Sequence, residues 1–598
     1  MDREQASTDL KWKLSDIYEN HEKFDEDFQK LNKYLAIFEK FKGKLKNPDI
    51  LLKYYNTSTA FGKINRKLYG YVGLNHDVDL NNNLYMEDEQ RLSTFGAKYS
   101  KATAFVGPEL AGLSNEYFEQ LLKDERFKDY EYYIKEILEN RKHILSKEQE
   151  EALSVMYSFS SGFDDVRETL TENDFKYKPV VVDGKNEELT ESTYGKFLDN
   201  KNKKVRKEAY NNIYEVYKQF SKTLAINYIN FVKLINCDIN LRKYNSTFEM
   251  FSESVKIPQE LFDNLIKNVD KNINLEQKYF KLLKKSTKIE DFGFEDVYQS
   301  LSQNINKKYS IDEQKHIVLK ALSPLGKEYQ NLLKIAYENN WIDFCTNKNK
   351  KSGGYMLGVY GVHPYVFLND NGDYDSLSTL AHELGHAMHT YYSSKNQPYP
   401  KHDYDIFIAE IASTVNEILL NKYMIKNAKT NEEKLFYLDS YLQHFKGTVF
   451  RQTMFAEFED FAHKAIVNDE ILSEKILNDK YTELLKKHFA NTVEIDDCII
   501  HEWERIPHFY SPYYVYKYAT SFISAVYIAN SILEGKNNMI EKYREMLKSG
   551  CNGYPTEILA KAGIDLTKDE TFEYSFNDMK KCLKEVEEIL ENKNVINK

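Results

Sequence analysis

Proline and glycine are scarce, at 11 and 23 in 598 residues, below the usual ~5% and ~7%. A chain so short of turn-forming residues is not an all-β protein of many hairpins, and helix is the expected state. Cysteine is equally sparse. Cys237, Cys345, Cys498, Cys551 and Cys582 are odd in number, widely separated and without a C-x-x-C pair, which excludes a disulfide framework and a cysteine zinc site and leaves buried free thiols as the expectation. An excess of basic charge is also missing. The 82 Lys and Arg are outnumbered by 93 Asp and Glu, the net charge is −11, and the signs are interleaved, so there is no footprint for nucleic acid. Long apolar runs are absent too. The N-terminus is charged from Asp2 and Arg3 onward, without the apolar core of a secretory signal. The apolar uncharged stretch Tyr518 to Leu533 is broken by Thr520, Ser521, Ser524, Asn530 and Ser531, too polar and too short to span a bilayer. The expectation is a cytoplasmic protein with neither membrane nor nucleic acid as partner.

What is present is an ordinary globular composition, 42% hydrophobic and 29% charged, long enough for about four compact units or fewer large ones. From about residue 20 to 175 the chain reads as amphipathic helices; Phe28, Leu31, Tyr34, Leu35 and Phe38 recur at helical spacing within one of them. The run from Lys178 to Lys185 is β-branched and closes on Asp183-Gly184, a strand entering a hairpin. It suggests a seam near residue 200, with an N-terminal helical region 1–200 and a catalytic domain 201–598. Helical periodicity returns from 201 to 340. The texture then changes: four of the 23 glycines, Gly353, Gly354, Gly358 and Gly361, fall in residues 352–369, followed by the β-rich run Pro364 to Asn369. The fold expected is mainly α, with a small β element beside the segment that follows.

That segment carries the chemistry. Five of the 14 histidines, His363, His382, His386, His389 and His402, lie within 40 residues. His382-Glu383-Leu384-Gly385-His386 places two imidazoles one turn apart on one helical face with Glu383 turned to their side, the arrangement of a zinc hydrolase in which two histidines hold the metal and the carboxylate takes a proton from the activated water. Asp375 or Ser376 can cap this helix, and Leu377 to Tyr392 contains no proline. A catalytic zinc needs a third protein ligand. Position 389 is His and 392 is Tyr, so the metzincin pattern does not apply. The next segment opens with Asp403 and Asp405 as caps and then runs apolar to Leu420, interrupted by only two carboxylates, Glu410 and Glu417, seven residues apart on the same face. Buried carboxylates need partners; Glu410 as ligand and Glu417 accepting a histidine N–H would give both one, while a salt bridge or a solvated helix face accounts for Glu417 equally well.

His382 to His389, followed by Glu410 in Ala409-Glu410-Ile411-Ala412-Ser413-Thr414, closely resembles the oligoendopeptidase F branch of the thimet-oligopeptidase-like zinc peptidases. Tyr360-Gly361-Val362-His363-Pro364-Tyr365, Arg505-Ile506-Pro507-His508-Phe509-Tyr510, Trp12 to Tyr18 and Leu547 to Gly550 resemble the same family, so the likeness is nearly full-length. It implies a two-lobed helical metallopeptidase with a deep central channel, one Zn2+ per chain at its floor, and cleavage of internal bonds in short peptides. In relatives a histidine and tyrosines near 508–518 stabilise the oxyanion. Ser511 as N-cap and Pro512 at N1 would start a helix presenting Tyr513 and Tyr516 on one face, and with His508 these are the candidate catalytic donors, against the bland alternative of a core aromatic face. Gly353, Gly354, His363, Tyr365 and Tyr510 are candidate substrate-binding residues, the strand from Tyr365 to Leu368 pairing with an extended peptide; His389, like Glu417, is placed in support of the ligands. The alternatives are a zinc carboxypeptidase of similar fold and a peptide-binding protein with a vestigial site.

Overall fold

The computed structural model describes residues 2–146, 149–150, 153, 161–302, 307–490, 492–536 and 538–596. Its principal elements are helices α1 (His21–Glu39), α2 (Pro48–Asp77) and α3 (Asn83–Thr103), strands β1 (Val180–Val182) and β2 (Lys185–Glu187), helices α4 (Lys203–Arg242) and α5 (Gln259–Thr287), strands β3 (Ile342–Cys345), β4 (Tyr355–Gly358) and β5 (Pro364–Asp370), and helices α6 (Tyr374–Asn396), α7 (Ile406–Asn427) and α8 (Tyr516–Leu533). The mainly helical expectation holds. No helix among the described residues is long and apolar enough to cross a membrane. None of the five cysteines lies in a disulfide, but only Cys582 is fully buried and Cys237 is exposed, so the expected burial of thiols is corrected.

Contacts divide the chain into two compact units that interleave: residues 1–144, 306–423 and 525–565 form the first, and 145–305, 424–524 and 566–598 the second. Strands β4 and β5, though distant in sequence, pack with the N-terminal helices. In the first unit α1 buries Phe24, Phe28, Leu31 and Phe38 against α2 and α3. The sheet has the order β3-β5-β4, with β3 parallel and β4 antiparallel to β5. Alternation along β5 sends Tyr365 and Phe367 to the face that carries Trp12 and the N-terminal aromatic core; the other face lies on α6. In the second unit the β1–β2 hairpin turns through Asp183 and Gly184, both at positive φ, the primed turn that an Asp-Gly pair favours. There α4 and α5 are the long packing helices, and Lys267 and Lys271 on α5 pair with Asp569 and Glu573.

Candidate metal centre

Helix α6 starts two or three residues before the expected caps: Asp373 Oδ1 accepts the Ser376 N–H at 3.0 Å. Helix α7 is opened by Asp405, which accepts the Phe407 N–H at 2.7 Å. The two helices cross very closely at Gly385. A Cβ there would lie 2.5 Å from the Ala412 carbonyl oxygen and closer still to Ser413 Cα, so the glycine inside the histidine motif is what lets α7 approach. Asn416 Nδ2 donates to the Ala381 carbonyl at 3.0 Å and takes a hydrogen bond from Tyr329 Oη, tying the crossing with a buried polar stitch. The sequence reading passed over Asn416; a buried amide next to Glu417 in an otherwise apolar run was the available signal.

This crossing brings His382, His386 and Glu410 together, the group that could hold a metal among the described residues. The two Nε2 atoms are 3.2 Å apart, and each lies 3.6 Å from Glu410 Oε2. A tetrahedral ion with bonds of about 2.0 to 2.2 Å has donor edges of about 3.3 to 3.6 Å, so the donor set fits zinc. Glu417 Oε2 lies 3.1 Å from His382 Nδ1, which fixes the proton there and leaves the Nε2 lone pair aimed at Glu410 and His386. Ser378 Oγ donates to Glu417 at 3.3 Å, and Ser413 Oγ to Glu410 Oε2 at 3.4 Å.

Charge is concentrated here. Burial works against a proton on His382, but Glu417, Glu383 and Glu410 outweigh it and lift its pKa to about 9. Burial raises the pKa of Glu383, against the two histidines, while the neighbouring His386 holds Glu410 below the ordinary range. Glu383 is buried, only 6% exposed. His389 does not reach the ligands: it is fully buried, stacks on Tyr404 at 3.6 Å, and burial lowers its pKa to about 3.

The other candidates sort differently from the sequence expectation. Strand β5 is paired on both sides, so it has no edge for a peptide, and the pairing expected along Tyr365 to Leu368 is corrected. Tyr365 is fully buried and donates to the Lys13 carbonyl. His363 stacks on Trp341 and faces Asp16. Gly353 is in the left-handed region at φ 87°, and a Cβ on Gly354 would come 3.1 Å from Thr379 of α6. The edge strands are β3 and β4, and β4 is the one that runs alongside α6.

In the second unit the expected helix from Pro512 does not form. Tyr513 adopts φ 53°, which no helix accommodates, and α8 begins at Tyr516. The cause is a pair of buried acids: Glu459 accepts the Tyr513 N–H and Asp460 its hydroxyl, both at 2.9 Å. Tyr513 and Tyr516 pack with Phe248 and Phe262, so their shared face is core and their assignment as paired donors is corrected. Tyr510 accepts from Asn227 at 2.9 Å and lies under Arg167. His508 instead groups with Tyr514 and Tyr518; its Nε2 is 3.5 Å from the Tyr518 hydroxyl. Burial and the Arg167 charge lower the His508 pKa.

Comparison with known proteins agrees with this chemistry. The family profile described as Peptidase family M3 matches residues 196–578, and that described as Oligopeptidase F matches residues 109–177. Oligopeptidase PepF of Bacillus subtilis is 36% identical over 98% of this chain and 88% of its own. An oligoendopeptidase F homolog of Lactococcus lactis is 32% identical over 98% of both chains. Among solved structures, a peptidase from Chlamydophila abortus superposes with TM-score 0.93 at 31% identity over 98% of this chain and 99% of the other. Oligoendopeptidase-F from Enterococcus faecium gives 0.74 at 31% identity over 96% and 99%.

Proposed function

The chain belongs to peptidase family M3 and is a metalloendopeptidase, and from that premise we propose that it is a zinc oligoendopeptidase cutting internal bonds of short peptides. The observation that carries the reading is the His382, His386 and Glu410 triangle, whose 3.2 and 3.6 Å edges match a tetrahedral zinc. One zinc ion held there supplies electrophilic activation of water and of the scissile carbonyl near neutral pH. Glu383, carrying a raised pKa in a buried position, accepts the proton of the attacking water and returns it to the leaving amine. Glu417 keeps the His382 proton on Nδ1 and so orients the ring. Remote contacts along an extended peptide supply binding energy, which favours substrates of about six to twenty residues over dipeptides.

The test is mass spectrometry of products from a mixed peptide library with the purified enzyme, before and after chelation and after zinc return. Internal fragments that vanish with chelator and reappear with about one zinc per chain are expected, and Glu383→Gln should bind zinc yet lose most turnover. Stepwise loss of C-terminal residues would make it a carboxypeptidase instead. Undiminished activity in metal-free protein would overturn the assignment.

A further inference from the structure

The free edge of β4 can be read atom by atom. Gly358 faces Pro364 across the β4–β5 ladder, and proline has no N–H to exchange, so this is a non-bonded pair. Two residues on, the Val366 N–H turns away from β4 to the Trp341 carbonyl at 2.9 Å. The ladder bonds therefore fall at Leu357–Tyr365 and Tyr355–Phe367, and Met356 and Gly358 direct their N–H and C=O groups to the open edge.

One of those groups is already taken. Arg66, on α2, donates Nε to the Gly358 carbonyl at 3.0 Å. Among the described residues no carboxylate stands within ion-pair distance of Arg66, so both Nη groups keep their donors. One turn earlier, Lys63 sits over the Tyr360 and Tyr399 rings at 5.4 and 6.0 Å. Both cations are exposed on the end of the edge strand.

The position of this end relative to the metal ligands follows from the helix beneath. Gly354 lies against Thr379 and Gly358 against Thr390, so β4 runs alongside α6 with His382 and His386 between those points, level with Met356. At about 3.3 Å per residue, Arg66 stands two to four peptide residues from the bond presented to the metal.

Resting on the oligopeptidase reading, we propose that Arg66, assisted by Lys63, is a carboxylate subsite. A peptide paired with Met356 stops its strand pairing at Gly358, whose carbonyl is occupied, and offers a carboxylate to the Arg66 Nη atoms in a charge-assisted bidentate contact. The carboxylate is an Asp or Glu side chain or the peptide's own C-terminus, according to the direction in which the peptide runs. In either case the cut falls several residues from it, which distinguishes this subsite from the terminal-carboxylate clamp of a carboxypeptidase.

The experiment uses the zinc-loaded full chain and quenched fluorescent decapeptides. In one arm, acetylated and amidated peptides carry a single Glu or Gln at each position two to five residues from the cleaved bond on either side. In the other, neutral peptides end in a free acid or an amide. The expected result is about a tenfold higher kcat/KM, mainly through KM, for the carboxylate member at one position or in the terminal arm. Arg66→Gln should bring that ratio to near one, and Arg66→Lys should keep part of it. Ratios within twofold of one throughout, or a full preference surviving in Arg66→Gln, would overturn the proposal. If no peptide is cut at all, the hydrolase reading fails separately, and fluorescence anisotropy of the same labelled peptides on Glu383→Gln protein, with and without Arg66→Gln, decides the subsite by the same ratios.

Discussion

Tyr513 and its neighbours show how a residue's chemistry depends on what its polar end already touches. The Tyr513 hydroxyl is committed to Asp460, which is itself buried, so Tyr513→Phe leaves a buried carboxylate oxygen unpaired. Its expected cost is about 1 to 3 kcal/mol of stability, read by denaturant melts, with kcat nearly unchanged. The sequence pointed to His508 and to an aromatic run beside it, with Tyr513 and Tyr516 expected on one helical face. An i, i+3 rule applied from Pro512 presumes helical backbone, and the positive φ at Tyr513 is imposed by Glu459 and Asp460, more than fifty residues away. No local pattern carries that information. The cluster of His382, His386 and Glu410 that could hold a metal was legible for the opposite reason, since its members lie on two consecutive helices whose spacing local periodicity reports.

At the level of elements, the site depends on how closely α6 and α7 cross. Gly385→Ala would drive a methyl into the Ala412 carbonyl and the Ser413 backbone, which must separate the helices because backbone cannot give way as a side chain tip can. We expect a loss of about 1 to 3 kcal/mol in stability and at least a tenfold weaker zinc affinity, measured by competition with a chromogenic chelator, because Glu410 moves with α7. Retention of wild-type zinc affinity would show that the glycine serves packing alone. Asn416→Ala should cost stability by leaving the Ala381 carbonyl without its donor. The presence and type of these helices and of β5 were readable from periodicity. That β5 is a central strand was not, because the apolar run Pro364 to Leu368 reads the same whether the strand has one neighbour or two, and β3 and β4 are only four residues each.

For the molecule as a whole, acid is the expected weakness. His389 and His463 are buried with pKa values lowered by burial to about 3, against about 6.5 in an unfolded chain. Between those values the unfolded chain binds more protons, so stability is complete above pH 6.5 and falls as pH drops, by up to about 1.4 kcal/mol per pH unit for each histidine. Urea melts from pH 7.5 to 5 should show this slope, and His463→Phe should flatten it; an unchanged slope would place the acid sensitivity elsewhere. What the sequence could not display at this scale was the interleaving of the two units, since helical periodicity reports a neighbour one turn away and says nothing of which distant segment covers the face. That interleaving bears on how the protein is made. The first unit is completed by residues 525–565, after intervening stretches of about 160 and 100 residues that belong to the second. On a ribosome, the N-terminal helices and the histidine helix therefore emerge long before their last packing partners, and their apolar faces must wait uncovered. Neither unit can be completed until its last stretch has been synthesised, so the early apolar faces stay exposed during synthesis, and the nascent chain is a natural client for chaperones that mask exposed helices.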